Sequence, residues 1–184
     1  MAKDNDIIRG LLKGQAVCQR QLLQQYGSRV FAQIARVVHR QEDAEEVYQD
    51  VFVKAFRSIA SYNPDKASLA TWLLRIAYHE ALNFVRGSDR HTISLDDYRP
   101  QAESIPESEM DMLLDRTDHE AVDTIEQAIA KLGTAEQSLI AMFYYDELST
   151  KEIAYITGST PATIASRLFR TRQKLYHIIK SKQL

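Results

Sequence analysis

The chain has few of the residues that break helices or form cross-links. Its 184 residues include one cysteine, four prolines and six glycines. The lone Cys18 excludes an internal disulfide and a cysteine-rich zinc site, and so little Gly and Pro argues against a turn-rich all-β fold. No apolar run approaches the roughly 20 residues that span a bilayer, and no signal-peptide pattern opens the sequence. We therefore expect a mainly helical, cytoplasmic protein without direct membrane insertion.

Charge is unevenly distributed along the chain. The formal net charge is −2, but residues 149–184 carry seven Lys and Arg against one acidic residue. Residues 88–120 carry three Lys and Arg against ten acidic residues. A locally cationic surface is what nucleic-acid affinity requires, although a basic helix face can also be merely solvated.

A helix, a tight turn and a second helix are predicted near the C-terminal end. Ser149 and Glu152 form a capping box that starts the first helix. Gly158 allows a left-handed backbone that ends it, and Thr160-Pro161 supplies a cap and a first helical residue that needs no N–H partner. This order of signals is typical of a DNA-reading helix-turn-helix.

The second helix of this motif has two distinct faces. Its apolar residues recur at helical spacing: Ile164, Leu168, Leu175 and Ile178. The opposite face bears hydroxyls at its start and cations further along, which suits base edges and phosphates respectively. Its members are Thr163, Ser166, Arg167, Arg170 and Lys174.

Residues 7–40 are predicted to form two or three helices, broken near Gly14 and Gly27. The next helix, residues 42–59, keeps an unbroken apolar spacing, so one face must be buried. Its other face is mainly acidic near the N-terminus, where carboxylates also suit the helix dipole. That polar stripe includes Asp43, Glu46, Gln49, Asp50 and Arg57.

A loop around Pro64 separates this helix from another that runs to about residue 86. Pro64 biases the residue before it away from helix, and Ser68 can cap the helix after the loop. Trp72 is expected in the core beside Leu73. A second stripe of this helix combines aromatic, amide and cationic groups: Thr71, Arg75, Tyr78, His79, Asn83 and Arg86.

Residues 88–120 are acidic and lack periodicity, as expected of a flexible linker. A second domain begins near Ala121, and a capping box from Thr134 to Gln137 opens its second helix. We therefore predict an all-α fold of two small helical domains, 1–87 and 121–184, joined by this acidic linker.

Together these segments resemble the bacterial extracytoplasmic-function sigma factors, which carry sigma regions 2 and 4 only. Three motifs in the family's order carry the resemblance: residues 43–55, residues 62–77 and residues 148–172. It implies a sigma region 2 helical bundle in 1–87 and a region 4 helix-turn-helix in 121–184. His79, Leu69 and Ala67 depart from the residues frequent in relatives, and so does Ala165.

The resemblance implies a non-enzymatic subunit that binds core RNA polymerase, recognises promoter −10 and −35 elements and assists opening. It implies no cofactor, metal or small-molecule substrate, and an anti-sigma factor as a further partner. Core binding would fall to Asp43, Glu46, Gln49 and Asp50. The −10 contacts would fall to Tyr62, Asn63, Ser68, Thr71, Arg75, Tyr78, His79 and Asn83. The −35 bases would face Thr160, Thr163, Ser166, Phe169 and Arg170, with Lys151, Arg167, Arg172 and Lys174 nearer the phosphates.

Two other functions are compatible with parts of the sequence. A stand-alone helix-turn-helix regulator would bind duplex DNA unaided, but it has no use for the acidic helix and the aromatic loop. A metal-dependent hydrolase could use Asp43, Glu46 and Asp50 with a histidine. The five histidines include no ligand-spaced pair on one helix, which disfavours that chemistry. Phe169 is equally compatible with a core position.

Overall fold

The computed structural model describes residues 2–88 and 119–181. These residues form helices and short connections and divide into two compact units. One unit holds residues 2–88 with Ala154–Ser159, and the other holds 119–153 with 160–181. The all-α prediction is confirmed. Most of the predicted linker, residues 89–118, lies outside the described residues, and the predicted domain bounds stay a prediction.

Four α-helices and one short 3₁₀ turn build most of the first unit. They are α1 (Ala2–Leu12), α2 (Ala16–Ala35), α3 (Gln41–Ser58), the 3₁₀ turn (Ile59–Ser61) and α4 (Leu69–Ser88). Helices α2, α3 and α4 pack against one another, and α1 packs on α2. The core contains Leu22, Ile34, Val51 and Leu73, all completely buried. Burial of each such side chain contributes about 1.5–3 kcal/mol, which explains why these helices assemble by their apolar faces.

Helix α2 continues through Gly27, which corrects the predicted break at that residue. Gly27 is buried where α2 meets α3, and a Cβ added there would lie 2.6 Å from Tyr48 Oη. The Tyr48 ring stacks edge-to-face on Phe31 and Phe52, with centroids 5.9 and 5.0 Å away. Gly27 therefore permits close helix packing rather than a turn. Gly14, with φ +70°, does end α1 as predicted.

The second unit includes α5 (His119–Ile129), α6 (Thr134–Ile140), a π-helical turn (Ala141–Tyr145) and α8 (Pro161–Lys180). Helix α7 (Thr150–Thr157) begins in this unit, and its residues 154–157 belong to the first unit. Its buried cluster joins α5, α6 and α8 through Ala128, Leu132, Ile140, Leu175 and Ile179. Ile179 is buried to 1% exposure, whereas the predicted core residue Ile178 only packs against the cluster. The exposed Glu147 has φ +53°, a conformation that side chains with a Cβ rarely adopt.

The cap of α6 lies one residue earlier than predicted. Gly133, not Thr134, is the N-cap, and its N–H donates to Glu136 Oε2 at 2.9 Å. Gln137 does not serve the cap, because its side-chain amide donates to the Leu132 carbonyl at 2.8 Å. The helix therefore begins with the carboxylate half of a capping box, since glycine has no side-chain acceptor.

Candidate nucleic-acid interface

The helix-turn-helix has the local geometry that its sequence predicts. Ser149 N donates to Glu152 Oε2 at 3.0 Å, and Glu152 N donates to Ser149 Oγ at 3.3 Å. Gly158 is left-handed, with φ +71°, and the N–H of the next residue donates to the Ala154 carbonyl at 2.9 Å. Thr160 caps α8, since its Oγ1 accepts from Thr163 N at 3.2 Å. The capping predictions for this motif are therefore confirmed.

The N-terminal end of α8 presents hydroxyls to solvent. Thr160 and Ser166 are exposed and Thr163 is half-buried. The first turn contains no acidic residue, so no carboxylate of this turn offsets the positive end of the helix dipole. Such an end attracts phosphate groups, because its first N–H groups have no helical partners.

Arg170 and Phe169 continue this face along α8. Arg170 is half-buried, and its Nε donates to the Ser166 carbonyl at 3.4 Å, so the guanidinium is held along the helix. Phe169 is 40% exposed, which rules out a core role in this structure.

The cations assigned to phosphates differ in how freely they face solvent. Lys151 is exposed, whereas Arg167 and Arg172 are half-buried. Lys174 Nζ donates to Glu136 Oε2 at 2.8 Å, and the same oxygen accepts from the Gly133 N–H. Lys174 therefore ties α8 to the start of α6, a role that the sequence did not reveal.

The loop after α3 is organised around Tyr62. The Tyr62 hydroxyl donates to the Ala67 carbonyl at 3.1 Å, and its ring stacks edge-to-face on Trp72 with centroids 5.7 Å apart. Asn63 Oδ1 accepts from the Asp65 N–H at 2.8 Å. Ser68 caps α4 by accepting from Thr71 N at 3.1 Å. Trp72 is only 6% exposed, which confirms its predicted core position.

The second stripe of α4 is more buried than its polar composition predicts. Thr71 is 2% and Tyr78 6% exposed. Arg75 and His79 are half-buried, and Asn83 is exposed. Burial and then the nearby charge of Arg75 lower the pKa of His79, which favours a neutral imidazole at pH 7. Any contact of these side chains with DNA stays a prediction.

The polar stripe of α3 faces solvent, except that Asp43 is partly covered. Glu46, Gln49 and Asp50 are exposed, and Asp43 Oδ2 lies 3.8 Å from Arg40 Nε. Val53 is 45% exposed and follows Asp50 by three positions and Glu46 by seven, so helical spacing puts it on the same face. The sequence reasoning missed Val53, although the same spacing could have identified it.

Metal-ligating side chains do not cluster in the described parts of the chain. In residues 2–88 and 119–181, no group of three or more His, Cys, Asp or Glu side chains is arranged to hold a metal ion. Over those same residues, no helix is both long and apolar enough to cross a membrane.

Two family models match this chain. Residues 22–91 match the family described as Sigma-70 region 2, and residues 123–175 match Sigma-70, region 4. The chain is 30% identical over 181 residues to the ECF RNA polymerase sigma-E factor of Escherichia coli K12, covering 94% of this chain and 92% of that protein. It is 28% identical over 182 residues to the RNA polymerase sigma-H factor of Pseudomonas aeruginosa, with the same coverage.

Solved structures share the fold. CnrH in complex with the cytosolic domain of CnrY aligns with TM-score 0.65 and 21% identity, covering 97% of each chain. The sigma factor RpoE of Bartonella quintana, in complex with the anti-sigma factor NepR, aligns with TM-score 0.61 and 21% identity, covering 88% of this chain and 96% of that one. From the family matches and the sigma-E relative, we conclude that the chain belongs to the sigma-70 family of RNA polymerase sigma factors, in its extracytoplasmic-function group.

Proposed function

We propose that this chain binds core RNA polymerase and directs initiation at promoters with −10 and −35 elements that it recognises. The observation that carries the proposal is that one chain combines three features. They are a capped helix-turn-helix, the acidic exposed face of α3, and the loop 62–69, in which the Tyr62 ring packs on Trp72. It acts as a binding subunit in the cytoplasm and performs no covalent chemistry of its own. The catalytic work of transcription belongs to the polymerase.

Core polymerase binds the exposed stripe of α3. Glu46, Gln49 and Asp50 are exposed there, and Asp43 extends the stripe towards the helix N-terminus. Acidic groups at the rim of an interface speed association with a basic partner and make the rate fall with salt. The exposed Val53 adds apolar contact area within the same face.

The loop 62–69 and the exposed part of α4 hold the opened −10 strand. Unstacking a base costs a few kcal/mol, so the protein must offer polar edges and stacking surfaces in return. Tyr62 and the exposed Asn63, Ser68 and Asn83 supply such groups. Arg75 adds a cation that suits the phosphate backbone.

Helix α8 reads the −35 element in the major groove. Its uncompensated N-terminal end approaches a phosphate, and Thr163, Ser166 and Arg170 follow along the groove. Arginine bound through two hydrogen bonds to a guanine is worth about 1–3 kcal/mol in base discrimination. Lys151, Arg167 and Arg172 contribute the salt-dependent, sequence-independent part of the affinity.

An anti-sigma factor regulates the chain by covering surfaces needed for polymerase binding. The two structural relatives were solved with partners named CnrY and the anti-sigma factor NepR. A partner of this kind competes with core polymerase for the free sigma factor, so its abundance sets how much holoenzyme forms.

The test is transcription by reconstituted holoenzyme on a library of random promoters. Purified chain and core polymerase should yield transcripts from a subset of sequences that share two elements, whereas either component alone should yield none. Strand opening at the upstream edge of the bubble should accompany the transcripts, as measured by permanganate footprinting.

The competing function predicts a different outcome of the same experiment. A stand-alone regulator would bind duplex DNA tightly without polymerase and would support no transcript from any library member. That result would overturn the sigma-factor proposal.

A further inference from the structure

Helix α1 is an anchored element that begins outside the residues matched to region 2, which start at residue 22. Ile7 and Leu11 are buried to 5% and 7% exposure. Gly10 lies so close to α2 that an added Cβ would sit 2.0 Å from Cys18 Sγ. Helix α1 therefore packs on α2 along its middle and C-terminal part.

A cluster of three polar side chains fixes the N-terminal end of α1 to α2. The Tyr26 hydroxyl donates to Asp4 Oδ1 at 2.8 Å. Gln25 Nε2 donates to the same oxygen at 3.1 Å and to Tyr26 Oη at 3.0 Å. Burial and then the hydrogen bond to Asp4 raise the pKa of Tyr26, so its hydroxyl stays a donor throughout the neutral range. Asp4 is thus held by two donors from another helix.

The same helix packs on the 3₁₀ turn Ile59–Ser61, which leads directly into the loop 62–69. The Ile59 carbonyl accepts from the Tyr62 N–H at 3.1 Å. Burial and then the charge of Asp4 raise the pKa of Tyr62, so the carboxylate lies within electrostatic reach of the loop. Tyr62 in turn holds Ala67 and packs on Trp72.

These contacts connect the N-terminal end of α1 to the loop 62–69. The connection runs from Asp4 and Tyr26, through the body of α1, to the 3₁₀ turn and then to Tyr62. A carboxylate would repel a DNA strand, so Asp4 is unsuited to contact the strand itself. The loop, rather than Asp4, is the part of this chain of contacts that suits a DNA strand.

We infer that Asp4 and Tyr26 are positioning residues that hold α1 against the 3₁₀ turn and thereby set the conformation in which the loop 62–69 accepts the opened −10 strand. The inference rests on the proposed function, because it assigns a role in −10 recognition. It gives a role to a helix that lies outside the residues matched to region 2. A loop fixed in its binding conformation loses less conformational entropy on binding, which strengthens selective contacts.

The experiment measures binding of single-stranded DNA to holoenzyme. The probe is a fluorescein-labelled oligonucleotide with the −10 sequence selected by the wild-type holoenzyme from the promoter library, beside a single-base variant of that sequence. The proteins are wild type, Tyr26→Phe, Asp4→Ala and Asp4→Asn. Asp6→Ala is the matched control, since Asp6 lies on the same helix and pairs with the exposed Arg9 in a contact of 3.0 Å.

Tyr26→Phe and Asp4→Ala each remove two hydrogen bonds of the cluster and should each reduce discrimination between the two oligonucleotides by about threefold to tenfold. Asp4→Asn retains an oxygen that accepts from Tyr26 and should keep wild-type discrimination, as should Asp6→Ala. Affinity for core polymerase and for a −35 duplex should be unchanged in all five proteins. If Asp4 and Tyr26 only stabilised the fold, their loss would lower oligonucleotide discrimination, core polymerase affinity and −35 duplex affinity together.

Wild-type discrimination in both Tyr26→Phe and Asp4→Ala would overturn the inference while leaving the proposed function intact. A parallel loss of core binding, or an Asp4→Asn protein as defective as Asp4→Ala, would also overturn it. If wild-type holoenzyme selects no promoter at all, the proposed function itself fails, which separates the two failures.

Discussion

The helix-turn-helix and the packed helices of the first unit are organised by interactions of different range. The signals that begin and end the helices of the former act within a few residues, as in the pair Ser149 and Glu152 and in the left-handed Gly158. The latter depends on contacts between distant residues, such as Gly27 with Tyr48 and the ion pair of Lys54 with Glu80. Local signals define where a helix begins, whereas long-range contacts decide how helices meet.

Two helices differ in the charge at their N-terminal ends. Helix α3 has Glu42 and Asp43 in its first turn, so its dipole is compensated and its exposed face is acidic. Helix α8 has no acidic residue in its first turn, which leaves its positive end available to an anion. The difference in end charge fits the partners proposed above, core polymerase for α3 and DNA for α8.

The largest expected effect separates these two faces by function. Arg170→Ala should weaken promoter recognition by about 1–3 kcal/mol, roughly 5- to 150-fold, because a specific arginine contact is lost. It should leave core binding unchanged. Asp50→Ala should do the reverse, with slower association at low salt. Fluorescence binding of each variant to core polymerase and to promoter DNA in the holoenzyme measures both effects. Equal losses in both assays would contradict this division of labour.

The next prediction breaks long-range packing in the first unit. Gly10→Ala should lower the free energy of unfolding by about 1–3 kcal/mol, because the new methyl overlaps Cys18 Sγ. Chemical denaturation followed by circular dichroism measures the change. Gly87→Ala is the matched control, since an added Cβ there meets nothing within 4 Å. That variant should be neutral or up to about 1 kcal/mol more stable, owing to helix propensity.

Thr160→Ala removes the side chain that caps the N-terminus of α8. Loss of the hydroxyl that accepts from Thr163 N should cost about 1 kcal/mol in stability. Thermal unfolding provides the measurement. Thr160→Ser keeps the acceptor and should retain most of the stability, so equal destabilisation by both substitutions would show that the cap is not the cause.

The smallest expected effect is an increase in stability. Glu147→Gly should stabilise the chain by about 0.5 kcal/mol, because glycine adopts φ +53° without the steric cost borne by a Cβ, partly offset by its larger entropy when unfolded. Glu147→Ala retains the Cβ and should show no such gain. Thermal unfolding of both variants side by side tests whether backbone strain, rather than the carboxylate, is responsible.

Several errors of the sequence-based predictions share one origin. Gly27 has the same intrinsic freedom as Gly158, yet only Gly158 ends a helix, because Tyr48 packs over Gly27 and makes the missing side chain useful within α2. Likewise Thr71 and Tyr78 lie on a polar stripe but are buried. Spacing along one helix identifies its faces, but it does not reveal what packs over each of them.

Those features of the site that depend on residues close together in the sequence could be predicted. The order of caps around α7 and α8 was correct residue by residue, and Trp72 was correctly expected in the core. The pairing of Lys174 with Glu136 and the exposure of Val53 were missed. Helical periodicity cannot predict an ion pair between residues that are far apart in the sequence.

By itself the sequence determined the all-α class, the helix-turn-helix and the segregation of acidic and basic faces, because helix propensity, capping and periodicity act between near neighbours. Only the tertiary structure decided that α1 packs on the 3₁₀ turn and that Asp4 is held by Tyr26 and Gln25. Contacts of that kind arise when helices bury their apolar faces together, and their partners are set by three-dimensional packing rather than by spacing along the chain.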